Sequence, residues 1–254
     1  MFQPRVIPCL LVQNGALVKT VQFENPAYVG DPANSLRIFN DKEVDELVLL
    51  DISATPTNTE PNLTLITQLA SECFMPLAYG GGIRCLEMAA RIMRAGVEKL
   101  IINTMAHDNP EFVSAASRRF GSQAVVVSID VRKTDSGYEV FTSSGKRPTG
   151  LQPVEFAQLM EHRGAGEILL TSIDREGTMT GYDLELIESC SAAVDIPVIA
   201  NGGAGKAQDF GEAIHSAGAS AAAAGSLVVY FGRQKAVLIN FPPRKRLDRI
   251  LDAA

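Results

Sequence analysis

Apolar runs alternate with helical stretches along the whole chain. The runs are "RVIPCLLV" (5–12), "ELVLLDIS" (46–53), "PLAYGG" (76–81), "EKLIINT" (98–104), "QAVVVSIDV" (123–131), "EILLTSID" (167–174), "PVIANGG" (197–203) and "SAAAAGS" (220–226). Runs apolar on both faces and separated by helices predict parallel strands covered by helices. Eight of them predict an α/β fold, a closed (β/α)8 TIM barrel. The length of 254 residues suits one such domain, since about 250 is typical of the barrel. The eighth run is alanine-rich and would be a weak strand signal alone.

A repeat supports the count. "ELVLLDIS" and "EILLTSID" begin at Glu46 and Glu167, and "MPLAYGGGI" and "IPVIANGGA" begin at Met75 and Ile196, an offset of 121 in both cases. "EKLIINT" and "SAAAAGS" end at Thr104 and Ser226, an offset of 122. Near-constant spacing predicts two fused (β/α)4 half-barrels, about 1–120 and 121–254, within a single domain. The tail "FPPRKRLDRILDAA" (241–254) reads as a short basic amphipathic helix packed outside the barrel.

Composition narrows the function classes. Hydrophobic residues make up 46% and charged residues 20%, as expected for a globular protein with a large core. The net charge of −6 gives no global pull toward nucleic acid or an anionic membrane. No run of 18 apolar residues is present, and "MFQPRVIPCLLV" lacks a cleavable signal pattern. Cys9, Cys73, Cys85 and Cys190 are scattered without metal spacing, which predicts reduced, mostly buried thiols in a cytoplasmic protein. His107, His162 and His215 fall in helical or loop stretches away from the strand ends, so no metal site is expected from them. No cofactor motif and no Walker loop appears.

In a barrel of this kind, functional groups gather at the C-terminal strand ends. Strands 3 and 7 end in "GGGIR" (80–84) and "NGGAGK" (201–206), while strands 4 and 8 end in Asn103–Thr104 and Gly225–Ser226. Glycines admit backbone N–H groups close to a phosphate, and N–H groups at the start of the next helix complete an anion site. Two phosphate sites, one per half, suit a substrate phosphorylated at both ends. Between them stand candidate acids and bases: Asp130 ends strand 5, Asp51 ends strand 2, Asp174 and Glu176 follow strand 6, and Lys19 follows strand 1. A carboxylate in a largely apolar mouth can shuttle protons. At the opposite face Arg5, Glu46, Lys99 and Glu167 stand at or near the starts of strands 1, 2, 4 and 6. Two cations and two anions there form either a salt-bridged ring or separate caps in water.

The chain resembles the cyclase subunit of imidazole glycerol phosphate synthase over nearly its full length. The motifs are "GDP" (30–32), "DELVLLDI" (45–52), "GGGIR" (80–84), "FGSQAVVVSID" (120–130), "GAGEILLTSIDREGT" (164–178) and "NGGAGK" (201–206). The resemblance implies a lyase-type synthase subunit of a glutamine amidotransferase. It implies a glutaminase partner at the barrel bottom, ammonia passing through the barrel, and a bisphosphorylated ribulosyl substrate at the top. It places phosphate binding at Gly82, Asn103, Thr104, Gly203 and Ser226, and an ammonia gate at Arg5, Glu46, Lys99 and Glu167. Asp130 matches the family's second catalytic aspartate and Lys19 its lysine.

Two positions depart. The first catalytic aspartate falls on Leu11, so that "CLDV" is "CLLV", and an aspartate after strand 6 is replaced by Glu176. The variant resembles a paralogue group linked to surface polysaccharide synthesis. There the pair would supply ammonia for acetamidino-sugar formation, with a third protein as the amidotransferase proper. Leucine cannot move a proton, so the expectation is an ammonia-channelling subunit with impaired cyclase chemistry. The alternatives are an ordinary histidine-pathway cyclase and a non-catalytic scaffold that activates a glutaminase.

Overall fold

The computed structural model describes residues 4–232 and 234–252. Eight parallel strands close on themselves: β1 (Arg5–Gln13), β2 (Leu47–Asp51), β3 (Leu77–Gly80), β4 (Lys99–Ile102), β5 (Val125–Thr134), β6 (Glu167–Ser172), β7 (Val198–Asn201) and β8 (Ala221–Ala224). Each pairs in parallel with the next, and β8 returns to β1 through Arg5↔Ala221 to Pro8↔Ala224. Helices follow the strands, so the expected (β/α)8 barrel is the fold. All eight predicted runs contain a barrel strand, the alanine-rich one included.

Period-two alternation sorts the strand residues into two apolar layers. Ile7, Cys9, Val48, Ala78, Ile101, Val126, Leu169, Ile199, Ala221 and Ala223 form a buried cluster on the barrel axis. Their sequence neighbours, such as Val6, Leu10, Leu47, Leu49, Leu100 and Val125, pack outward under the helices. Helix starts follow local chemistry. In "GDP", Asp31 caps the helix Pro32–Asp41 by accepting the Asn34 N–H at 2.9 Å, and Pro32 opens its first turn.

Two excursions lie beyond the predicted elements. β1 continues past the barrel into an antiparallel strand, Ala16–Val21, which pairs with Glu24–Gly30. The turn between β1 and Ala16–Val21 is Asn14–Gly15, both at positive φ, as a tight hairpin requires. β5 likewise runs on into Gly137–Thr142, which pairs with Arg147–Pro148. The tail forms the helix Arg244–Leu251, with Leu247 buried. No helix among the described residues is long and apolar enough to cross a membrane.

Candidate functional site

A cavity of about 430 Å³ opens at the C-terminal ends of the strands. Its wall carries Leu11, Lys19, Asp51, Asp130 and Glu176, together with both predicted phosphate cradles. The strand-end prediction therefore brings together residues far apart in sequence.

Asp130 sits at the floor, buried to 7% exposure. Ser128 Oγ donates to its Oδ1 and Asn103 Nδ2 to its Oδ2, each at 3.2 Å. Burial pushes its carboxyl up to about 7, against the hydrogen bonds from Ser128 and Thr171. A carboxyl with that affinity exchanges protons readily near neutral pH. Leu11 is half-buried in the same wall, beside Leu50 in register and opposite Val18 of the hairpin. No proton can be held there.

The hairpin after β1 returns Lys19 over the mouth. Its side chain is buried and ion-paired with Glu176. Glu176 also accepts from Thr20 Oγ1 and from the Phe23 N–H, both at 3.0 Å. Burial lowers the Lys19 ammonium to about 8. Glu176, in the loop after β6, thus reaches the buried lysine that the hairpin brings to it.

Each cradle shows the close approach that glycine allows. A Cβ on Gly81, at φ +121°, would meet the Asp51 carbonyl at 2.4 Å; one on Gly203, at φ +120°, would meet the Gly181 carbonyl at 2.2 Å. The Gly82 N–H donates to Thr55 Oγ1 at 3.2 Å. Thr104 Oγ1 accepts from the Ser143 N–H at 3.1 Å and donates to Asn103 Oδ1 at 3.2 Å. Ser226 lines the cavity, and its Oγ is buried without a hydrogen-bond partner among the described residues. An orphaned hydroxyl beside glycine-rich turns suits an anionic oxygen.

Asp51 turns its Oδ1 to the Ser53 N–H and hydroxyl and to the Ala54 N–H, fixing the loop after β2. Asp174 does not join the mouth, contrary to expectation. Its carboxylate accepts the Lys133 N–H at 2.7 Å and lines a separate outer groove with Tyr138 and Asp183. The reversal follows from the extension of β5 past the barrel, where the Lys133 N–H captures that acid.

At the other end, the four predicted charges form one closed ring. Arg5 bonds Glu46 at 2.5 Å and Glu167 at 2.6 Å; Lys99 bonds Glu46 and Glu167, each at 2.9 Å. The apolar axial cluster separates this ring from the mouth.

Several lining residues were missed. Phe23 arrives on the hairpin after β1, and Ser144 and Lys146 on the excursion after β5. Thr171, one residue before the end of β6, and Asn201, which ends β7, are bonded at 3.0 Å. Their polar side chains at strand ends were a readable signal. The three histidines lie outside the cavity lining. His107 pairs with Asp108, His215 contacts the Ile250 carbonyl, and His162 closes a helix. Cys9 and Cys190 are buried, Cys73 is half-buried and Cys85 is exposed.

Residues 5–235 match a family model described as histidine biosynthesis protein. A chain from Leptospira interrogans, provisionally named imidazole glycerol phosphate synthase subunit HisF, is 50% identical over 96% of this chain and 97% of its own length. A Pseudomonas aeruginosa chain, provisionally named subunit hisF2, is 51% identical over 98% and 99%. The imidazole glycerol phosphate synthase subunit HisF of Alkaliphilus metalliredigens is 46% identical over 91% and 92%. With the barrel and its two-ended site, these similarities lead to one conclusion: the chain belongs to the histidine biosynthesis family, among the HisF-type subunits of imidazole glycerol phosphate synthase.

Proposed function

We propose that this chain is the ammonia-using barrel of a two-protein glutamine amidotransferase, with a glutaminase at its N-terminal face and altered chemistry at its mouth. One observation carries the reading: a complete ring of four charges closes an apolar axis while Leu11 occupies the wall that holds Asp130.

A buried ring is a poor stabiliser, because desolvation offsets much of its attraction. Its contacts can part and re-form, which suits the gating of a small polar molecule. Above it, neutral ammonia crosses apolar surroundings at far lower cost than an ion. At the mouth, Asp130 is poised to give or take a proton, and Leu11 removes its expected partner. Losing one member of an acid–base pair costs on the order of 10²–10⁴-fold in rate.

The reading is therefore a channelling subunit, working in the cytoplasm, with impaired cyclisation. Its ammonia passes to a phosphorylated small molecule or to a third protein, an amidotransferase forming an acetamidino sugar for surface polysaccharide. The numbered name of the Pseudomonas aeruginosa relative, as given to additional copies, supports a paralogue role. A histidine-pathway cyclase is the second reading, favoured by Asp130, Lys19 and both cradles lining one cavity.

Complementation separates them. In a histidine auxotroph lacking the cyclase subunit, the unchanged chain is expected not to restore growth, and Leu11→Asp to restore it partly. Growth with the unchanged chain would overturn impaired cyclisation and favour the second reading.

A further inference from the structure

Five of the seven large apolar side chains that stand exposed among the described residues are on two hairpins. Val21 and Tyr28 are on the one after β1, and Phe231, Val237 and Leu238 on one after β8. β8 pairs with β1, so the two hairpins are neighbours on the rim of the mouth. Exposed apolar residues scattered singly need no explanation, but such a concentration marks a surface that another molecule covers.

The second hairpin is built to show its apolar side. It follows the short helix Ser226–Val229, whose first residue lines the cavity. Tyr230–Phe231 pairs with Ala236–Val237. The chain then stays pinned: the Leu238 N–H donates to the Val229 carbonyl at 3.0 Å and the Asn240 N–H to the Val228 carbonyl at 2.9 Å. Tyr230 and Ile239 pack against the core, while Phe231, Val237 and Leu238 are 58%, 50% and 54% exposed. Burial is the main cause of the lowered Lys19 ammonium, and the charge of Lys235 adds to it, so the turn reaches over the mouth.

Charge selects the occupant. "YFGRQKAVLIN" (230–240) holds two cations and no acid. A second copy in a twofold contact would set those cations against their own equivalents. An anionic membrane would meet a chain of net charge −6. A protein surface with an apolar centre and a carboxylate rim fits the hairpin on both counts. The conduit reading says which protein. Neutral ammonia reaching an open mouth escapes to solvent, so the enzyme that accepts it must sit over the exit.

We propose that residues 230–238 dock a separate ammonia-accepting enzyme over the mouth, with Phe231 as the apolar anchor and Lys235 facing a partner carboxylate. The inference rests on the conduit reading and supplies the surface through which the acceptor is held.

Photo-crosslinking tests this. The full chain carrying Phe231→p-benzoylphenylalanine is irradiated in living cells of its own organism. The expected adduct joins it to an enzyme that, once purified, incorporates nitrogen from ammonium chloride into its own substrate. An adduct with a second copy of this chain, with lipid or with a protein that fixes no ammonia would overturn the proposal, as would no adduct at all. Binding of the purified acceptor to this chain is then measured. Phe231→Ala should weaken it about 30-fold. Lys235→Glu should weaken it about tenfold, and less at high salt. Affinity unchanged in both variants would overturn the proposal. These measurements need no glutaminase. Complete loss of glutamine-derived ammonia to solvent past a tightly bound acceptor would sink the conduit reading separately.

Discussion

At position 11 one side chain sets how many protons the mouth can hold. Leu11→Asp would place a second carboxylate in the wall that already carries a buried acid. Two such groups raise each other's proton affinity. The variant is expected to lose about 1–3 kcal/mol on the alkaline side of the Asp130 transition, and less on the acid side, in denaturant melts at both pH values. Equal loss at both would argue against a shared environment. Asp130 has its own pH signature. Its carboxyl, raised by burial to about 7, binds a proton more tightly in the native state than in the unfolded chain. Between the ordinary carboxylate range and about pH 7 the native state therefore holds more protons, and stability falls as pH rises through that window. Asp130→Asn should flatten the fall and gain roughly 1–3 kcal/mol over wild type above it. A slope unchanged by the substitution would assign the effect elsewhere. Asp130 was legible because it follows a long apolar run, although β5 continues past it to Thr134. The burial of Lys19 was not, since a lysine in a loop-like segment reads as solvated until the hairpin folds it back onto Glu176.

Among elements, the barrel strands were legible and the excursions were not. Runs such as "ELVLLDIS" and "PVIANGG" are apolar on both faces because helices and axis cover both sides. The segments 16–30 and 137–148 mix polar and apolar residues, and only pairing with extended β1 and β5 makes them strands. Asp174 was misplaced for that reason. The tail helix, by contrast, followed from its own pattern, and its anchoring reaches the ring. Arg244 bonds Asp45 at 2.6 Å, and Asp45 accepts the Val6 N–H at 3.1 Å, so the tail ties down the starts of β1 and β2 beside Arg5 and Glu46. Asp45→Ala should speed amide exchange in residues 244–251 and at Val6 together. Accelerated exchange at only one of the two would deny the coupling.

For the whole molecule, the repeat predicted twofold construction before any contact was known, because buried strand cores tolerate few residue types. Barrel closure through β8 was less secure from sequence, since "SAAAAGS" lacks the bulky side chains that mark a strand. Ala221 and Ala223 fill the axis between β1 and β7, while Ala222 and Ala224 face outward. Removing one ring acid should be felt throughout the barrel. Glu167→Ala leaves Arg5 and Lys99 facing a single carboxylate and is expected to cost about 3–5 kcal/mol in equilibrium unfolding. A loss below about 1 kcal/mol would mean the pairs behave as exposed ones. The ring is also shared unequally between the halves: Arg5, Glu46 and Lys99 come from the first and only Glu167 from the second. Severed at the midpoint, neither fragment could neutralise its own base. The charge would balance only in a one-to-one reunion of unlike fragments.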